Sequence, residues 1–189
     1  MNPLIGMLAS QLGGPVIQQI SQQIGADAGT TQSAVGMALS MLLSAMGDRA
    51  ATPDGAEAIH QATQSNDGSI LDNVMGFVGN AGAAGIGSAL LGQVVGGGSH
   101  NAMADNISQN TGMESGAATQ LLGILTPLVM GALGKFSQEQ GGLDSNGIAQ
   151  MLSGVSGGND FLGMAARAID ADGDGNIVED LGNIIGKMF

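Results

Sequence analysis

A stretch of about 28 residues occurs twice in this chain, with equivalent positions 87 apart. The first copy, ISQQIGADAGTTQSAVGMALSMLLSAMG, covers residues 20–47, and the second, ISQNTGMESGAATQLLGILTPLVMGALG, covers residues 107–134. In each, Ile-Ser-Gln opens a helical pattern, Gly25 or Gly112 stops it, and an acidic residue, Asp27 or Glu114, follows two positions later. Then come Gly29 or Gly116, Gly36 or Gly123, and a terminal Ala45-Met46-Gly47 or Ala132-Leu133-Gly134. Each copy therefore predicts a helix, a glycine corner and a longer helix. An amphipathic stripe of that kind cannot be buried alone, so the copies are expected to pack on each other with pseudo-twofold symmetry. The fold class expected is all-α: a multi-helical single domain over residues 1–189, with an internally duplicated helix–corner–helix unit at about 16–47 and 103–134.

Composition restricts the function. With 189 residues the chain can bury about 70% of its unfolded surface in one core. It has no cysteine, which removes disulfides, thiolate metal sites and a cysteine nucleophile. Four Lys plus Arg against 16 Asp plus Glu give a formal charge of −12, which repels phosphate backbones. The first elbow has helix-turn-helix spacing, but its would-be recognition helix, 30–46, holds no Arg or Lys, and neither does the matching segment 117–133 of the second elbow. No nucleic-acid partner is expected. The N-terminal MNPLIGMLASQLGG has no basic residue ahead of its apolar stretch, so a secretory signal is not expected and the cytoplasm is the default address. Arg49, Lys135, Arg167 and Lys187 are each placed at or just past a helix C-terminus, where a cation complements the macrodipole.

Apolar periodicity predicts short helices at 4–12 and 16–24, separated by Gly13-Gly14-Pro15, and a long helix from about 30 to 45. Thr52-Pro53-Asp54 starts a helix to about 62, and Ser69-Ile70-Leu71-Asp72 resembles a capping box opening one to about 78. Residues 83–95 read as a helix stopped by Gly96-Gly97-Gly98. Residues 101–110 and 115–136 form the second elbow, with a kink expected at Pro127. Ser145 is read as the cap of a helix over 146–152, Asn159 as the cap of one over 160–169, and a last helix is expected at 178–188.

The 34 glycines are more than twice the usual share of about 7%. Gly36, Gly76, Gly85, Gly87, Gly92, Gly123, Gly131, Gly163 and Gly182 fall inside predicted helices, each costing about 0.5–1 kcal/mol against alanine. The series Gly36/Ser40/Ser44, Ala84/Ser88/Gly92 and Gly123/Pro127/Gly131 line small residues along one face, permitting close helix approach within one subunit, the preferred reading, or between subunits. A homo-oligomer follows from the second alternative. Residues 28–47, 73–104 and 115–134 are uncharged and long enough to span a bilayer. Interrupting polar residues and the absence of Trp, Tyr and clustered cations argue against integral membrane insertion.

One stretch carries chemistry. Asp170, Asp172 and Asp174 stand at positions 1, 3 and 5 of an EF-hand-type calcium loop, with Gly175 at 6, the Asn176 carbonyl at 7 and Ile177 at 8. Alternate carboxylates converge on one hard cation there, between two predicted helices spanning about 159–189. Position 12 is Leu181 where a bidentate Glu belongs, so Asp180 or Glu179 has to substitute. The expected metal set is Asp170, Asp172, Asp174, Asn176 and Asp180, holding a structural calcium ion; a simple capped helix start is the competing reading. Catalytic signatures are missing. His60 and His100 lack metal-site neighbours, the glycine-rich 79–87 has neither preceding strand nor following Lys-Ser/Thr, and no small-molecule substrate is identified.

The two elbows together with the acidic tail DADGDGNIVEDLGNIIGKMF resemble the YidB-like bacterial family of unknown function, domain of unknown function 937. That resemblance implies an all-helical fold and a bacterial source, and brings no reaction or catalytic residue with it. The expectation reached is a non-catalytic, self-associating structural or scaffold protein with a C-terminal calcium-type loop, or alternatively a calcium-responsive protein-binding module.

Overall fold

Two glycines with left-handed backbones set the path of the chain. In the computed structural model, which describes Leu8 and residues 11–66, 68–80, 82–96 and 98–153, helix α1 (Gly14–Ile24) buries Val16, Ile17, Ile20 and Ile24 at helical spacing. It ends at Gly25, φ 72°, whose N–H is donated to the Ser21 carbonyl. Asp27 then accepts the Thr30 N–H at 2.9 Å and caps α2 (Ala28–Ala50). The second elbow follows the same local path. Helix α6 (Ser99–Thr111) ends at Gly112, φ 74°, and α7 (Ser115–Glu139) begins after Glu114, which makes no side-chain cap. Between the elbows lie α3 (Pro53–Gln64), a 3-10 turn (Ser69–Asn73), α4 (Val74–Val78) and α5 (Ala83–Val95); α8 (Ser145–Ser153) follows α7. The described residues contain no strand, and they all fall in one compact unit running to Ser156. The fold is all-α, as the periodicity requires.

Several boundaries differ from the sequence expectation, each for a local reason. Where a capping box at Ser69 is expected to open a helix, Gly68 at φ 88° leads the chain into a 3-10 turn over Ser69–Asn73, and the α-helix starts only after it, with Asn73 accepting the Gly76 N–H at 2.9 Å. Asp144, not Ser145, caps α8 by accepting the Gly147 N–H at 2.8 Å. Helix α2 runs on through Gly47 to Ala50, which places Arg49 in its last turn as expected. Helix α7 likewise runs past Lys135, leaving that residue a turn inside the helix and 3.7 Å from Asp72. Pro127 does not end α7. Short α4 is held by α1, where Gln19 and Gln23, one turn apart, donate their side-chain amides to the carbonyls of Met75 and Asn80.

Helix α7 is the axis of the core. Every residue from 121 to 134 is buried, because α5, α6, α2, α3 and the 3-10 turn surround it. A helix apolar on all sides requires that position. It is also the one helix among the described residues long and apolar enough to cross a membrane by length and composition, and 83% of its apolar window is buried within the protein.

The α5–α7 crossing explains the proline and two glycines together. Pro127 has no N–H, so the Gly123 carbonyl lacks its helical partner. A methyl group on Gly87 would overlie that same oxygen, which places the Gly87 α-carbon directly against the orphaned carbonyl in a Cα–H···O contact. Reciprocally, a methyl on Gly123 would meet the Ala84 carbonyl oxygen at 2.5 Å. Further along α7, Gly131 receives Ile70 and Gly134 receives the Asn66 carbonyl. The series Gly123/Pro127/Gly131 is thus a close-approach face inside one subunit. The other two series behave differently: Gly36 and Gly92 have nothing within 4 Å of a built methyl, and neither has Gly85. Gly163 and Gly182 lie outside the described residues.

Candidate interaction face

Helix α5 has two sides of unlike character. Ala83, Gly87, Leu91, Val94 and Val95 face inward and are buried. Gly82, Gly85, Ile86, Ala89 and Gln93, spaced as one helical face, are exposed. Ile86 is 58% exposed and, with Met75 at 43%, is one of two exposed large hydrophobic residues among those described. No Asp, Glu, Lys or Arg occurs from residue 73 to 104, so the face carries no charge on a chain of net −12. At its C-terminal end the Arg49 Nε donates to the Gln93 carbonyl at 3.3 Å, tying α5 to α2. A second small-residue series, Gly36, Ser40 and Ser44 on α2, is half-buried beside Met37 and Met41.

This outward set was not the one singled out from sequence. Of the Ala84/Ser88/Gly92 series only Ser88 is exposed, Ala84 and Gly92 being half-buried, whereas Gly85 beside Ile86 is exposed with nothing within 4 Å of a built methyl. The signal was present: Ile86 is out of phase with the inward register 83, 87, 91 and 94.

The metal set Asp170, Asp172, Asp174, Asn176 and Asp180 lies outside the described residues. Among those described, no three or more of His, Cys, Asp and Glu are grouped as a metal site would need. His100 sits in the first turn of α6. His60, on α3, has Nε2 2.9 Å from the Gln64 side-chain nitrogen, and its Nδ1 is buried without a partner.

A family model described as a bacterial protein of unknown function, DUF937, matches residues 6–136. The chain belongs to that family. The DUF937 match takes in both elbows and the whole of α5, and it stops within the last turn of α7, before α8 and the calcium-type sequence. No curated protein and no solved structure matches the chain.

Proposed function

We propose that this DUF937 protein is a non-catalytic structural or scaffold protein of the bacterial cytoplasm that associates with copies of itself. The observation that carries this reading is the uncovered side of α5. Gly85 and Gly92 cost helix stability of about 0.5–1 kcal/mol each and nothing within the subunit needs their missing side chains. A backbone surface approaching from outside would use that space, as α7 uses Gly87 from inside. Neutrality supports a second copy as the partner, since two chains of charge −12 meet with least repulsion where neither presents a carboxylate. The like course of the two elbows supports an internal duplication in which one copy became the core and the other kept an open face.

Light scattering on the eluting full chain tests the proposal. Association at micromolar concentration is expected, and Ile86→Asp, at an exposed position, returns the chain to monomer without lowering its melting temperature. A wild-type monomer would end this reading. The carboxylate spacing of Asp170, Asp172 and Asp174 favours a second role, in which Asn176 and Asp180 complete a calcium loop that orders its flanking helices and makes the chain a calcium-responsive binding module. Calorimetry at millimolar calcium, with Asp172→Ala as control, decides it: no heat, or equal heat from both chains, removes calcium from the account.

A further inference from the structure

The two flanks of the uncovered α5 face differ, and the difference selects how a second copy can lie on it. Ile86 stands on this face with Gly82 a turn before it, Ala89 a turn after it, Gly85 on one flank and Leu90 on the other. Gly82, Gly85 and Ala89 are exposed, and a methyl built on Gly85 meets nothing within 4 Å. Leu90 is half-buried and fills its own flank. Ile86 itself is 58% exposed, so the face holds one knob and, toward Gly85, one recess.

In knobs-into-holes packing each knob enters a hole made by four residues of the facing helix. Where two copies of α5 run parallel about a two-fold axis, the hole facing position 86 is made by the second copy's residues 82, 85, 86 and 89, which are Gly, Gly, Ile and Ala. Where they run antiparallel, the knob leans over the flank of residue 90 instead, and leucine leaves no recess there.

Two further features suit the parallel arrangement. It sets two helix C-termini side by side, each equivalent to about half a negative charge. Arg49 stands at that end of α5, its Nε donating to the Gln93 carbonyl in the last turn at 3.3 Å, so a cation offsets the like ends. Gln93 lies two turns beyond Ile86 on the same face and meets its own copy in a parallel pair. A side-chain amide both donates and accepts, so two identical residues can bond to each other.

We propose that two copies of the chain pair α5 on α5 in parallel about a two-fold axis, each Ile86 seated in the glycine recess of the other. The inference rests on the self-association proposed above and names its contact surface and symmetry. An isologous contact occupies the same face on both chains, so assembly through it stops at two.

Cysteine cross-linking of the full chain tests the pairing. The chain has no cysteine, so an introduced one reports alone. A disulfide needs α-carbons within about 7 Å. A parallel pair brings residue 82 to its own copy and residue 89 to its own copy. These positions are about 10 Å apart along the helix, so an antiparallel pair brings at most one of them to its copy, and a head-to-tail contact brings neither. Gly82 has φ −85°, which any residue adopts, and Ala89 is exposed, so both substitutions should leave the melting temperature within a few degrees of wild type. Under oxidised glutathione, Gly82→Cys and Ala89→Cys are each expected to give a covalent dimer, and Gln61→Cys, exposed on α3, is not. Adding Ile86→Asp to Ala89→Cys should abolish the bond, and light scattering should give the wild-type chain the mass of two copies. A wild-type monomer would end self-association and the pairing together. A wild-type chain that associates, with cross-linking at only one of the two positions or at neither, equal cross-linking of Gln61→Cys, or a mass that climbs past two copies, would overturn the pairing alone.

Discussion

Gly36 on α2 and Gly123 on α7 occupy the same place in the two copies of the sequence unit, yet one faces open space and the other the Ala84 carbonyl. The same contrast runs along both helices. Helix α7 is buried on every side from residue 121 to 134, whereas α2 alternates buried positions such as Ala38 and Leu42 with half-buried Met37, Met41 and Ser44. Both are entered through a left-handed glycine of nearly the same φ. Corner geometry is thus a local property set by a few residues, while the surroundings of the long helix are decided by what else the chain lays against it. For α7 that is α5, whose glycine matches the carbonyl freed by Pro127; α2 has Met41 where α7 has Leu128, and Ser40 where α7 has Pro127.

The largest expected effect comes from filling the crossing. Gly87→Ala drives a methyl into the Gly123 carbonyl, and because both partners are backbone, neither helix can yield by a rotamer change. A loss of about 3 kcal/mol is expected in denaturant unfolding, at the upper end for overpacked cores. Gly36→Ala should do the reverse. With nothing within 4 Å, it gains about 0.5–1 kcal/mol of helix propensity in dilute solution. Equal losses in the two variants would show that α2 is as enclosed as α7 and erase the contrast.

Truncating the matched pair Leu128 and Met41 sharpens it. Leu128 is 1% exposed in the middle of α7, so Leu128→Ala should cost about 3 kcal/mol, in the range for a well-enclosed core leucine. Met41 is only packed against the edge of the core, and Met41→Ala should cost about 1 kcal/mol, since a half-open site closes more easily and loses less buried area. A difference below about 1 kcal/mol between the two would contradict the assigned burial.

These asymmetries mark what was legible in the sequence. The elbows, the α5 boundaries and the all-helical class follow from periodicity and from glycines whose role is local, as at Gly25 and Gly112. The close-approach role of Gly123 and Gly131 was readable as a small-residue series, but the identical pattern at Gly36 gave no hint that its face stays open. Spacing reports which residues share a side, and only the tertiary arrangement says which side is covered. The same limit explains Asp144 and Ser145: both are good caps, adjacent in sequence, and the choice depends on a loop bent by Gly141 and Gly142.

The smallest effect separates the two corners themselves. Asp27 accepts from Thr30, whose hydroxyl first and backbone N–H second hold its carboxyl below the ordinary value of 3.8, whereas Glu114 makes no side-chain cap. A carboxyl depressed in the folded state binds its proton more weakly there than in the unfolded chain. Its contribution is therefore complete above the unfolded value and is lost as pH falls through the folded one. Melting curves recorded from pH 5 downward should show this as a steeper fall in the wild-type protein than in Asp27→Asn, where the side-chain oxygen still caps but cannot titrate. At neutral pH, removing the cap with Asp27→Ala should cost about 1 kcal/mol in denaturant unfolding, whereas Glu114→Ala, where no side-chain cap exists, should cost much less. Equal losses would mean that the second corner holds a cap of its own, and the difference between the elbows would begin only beyond their first turns.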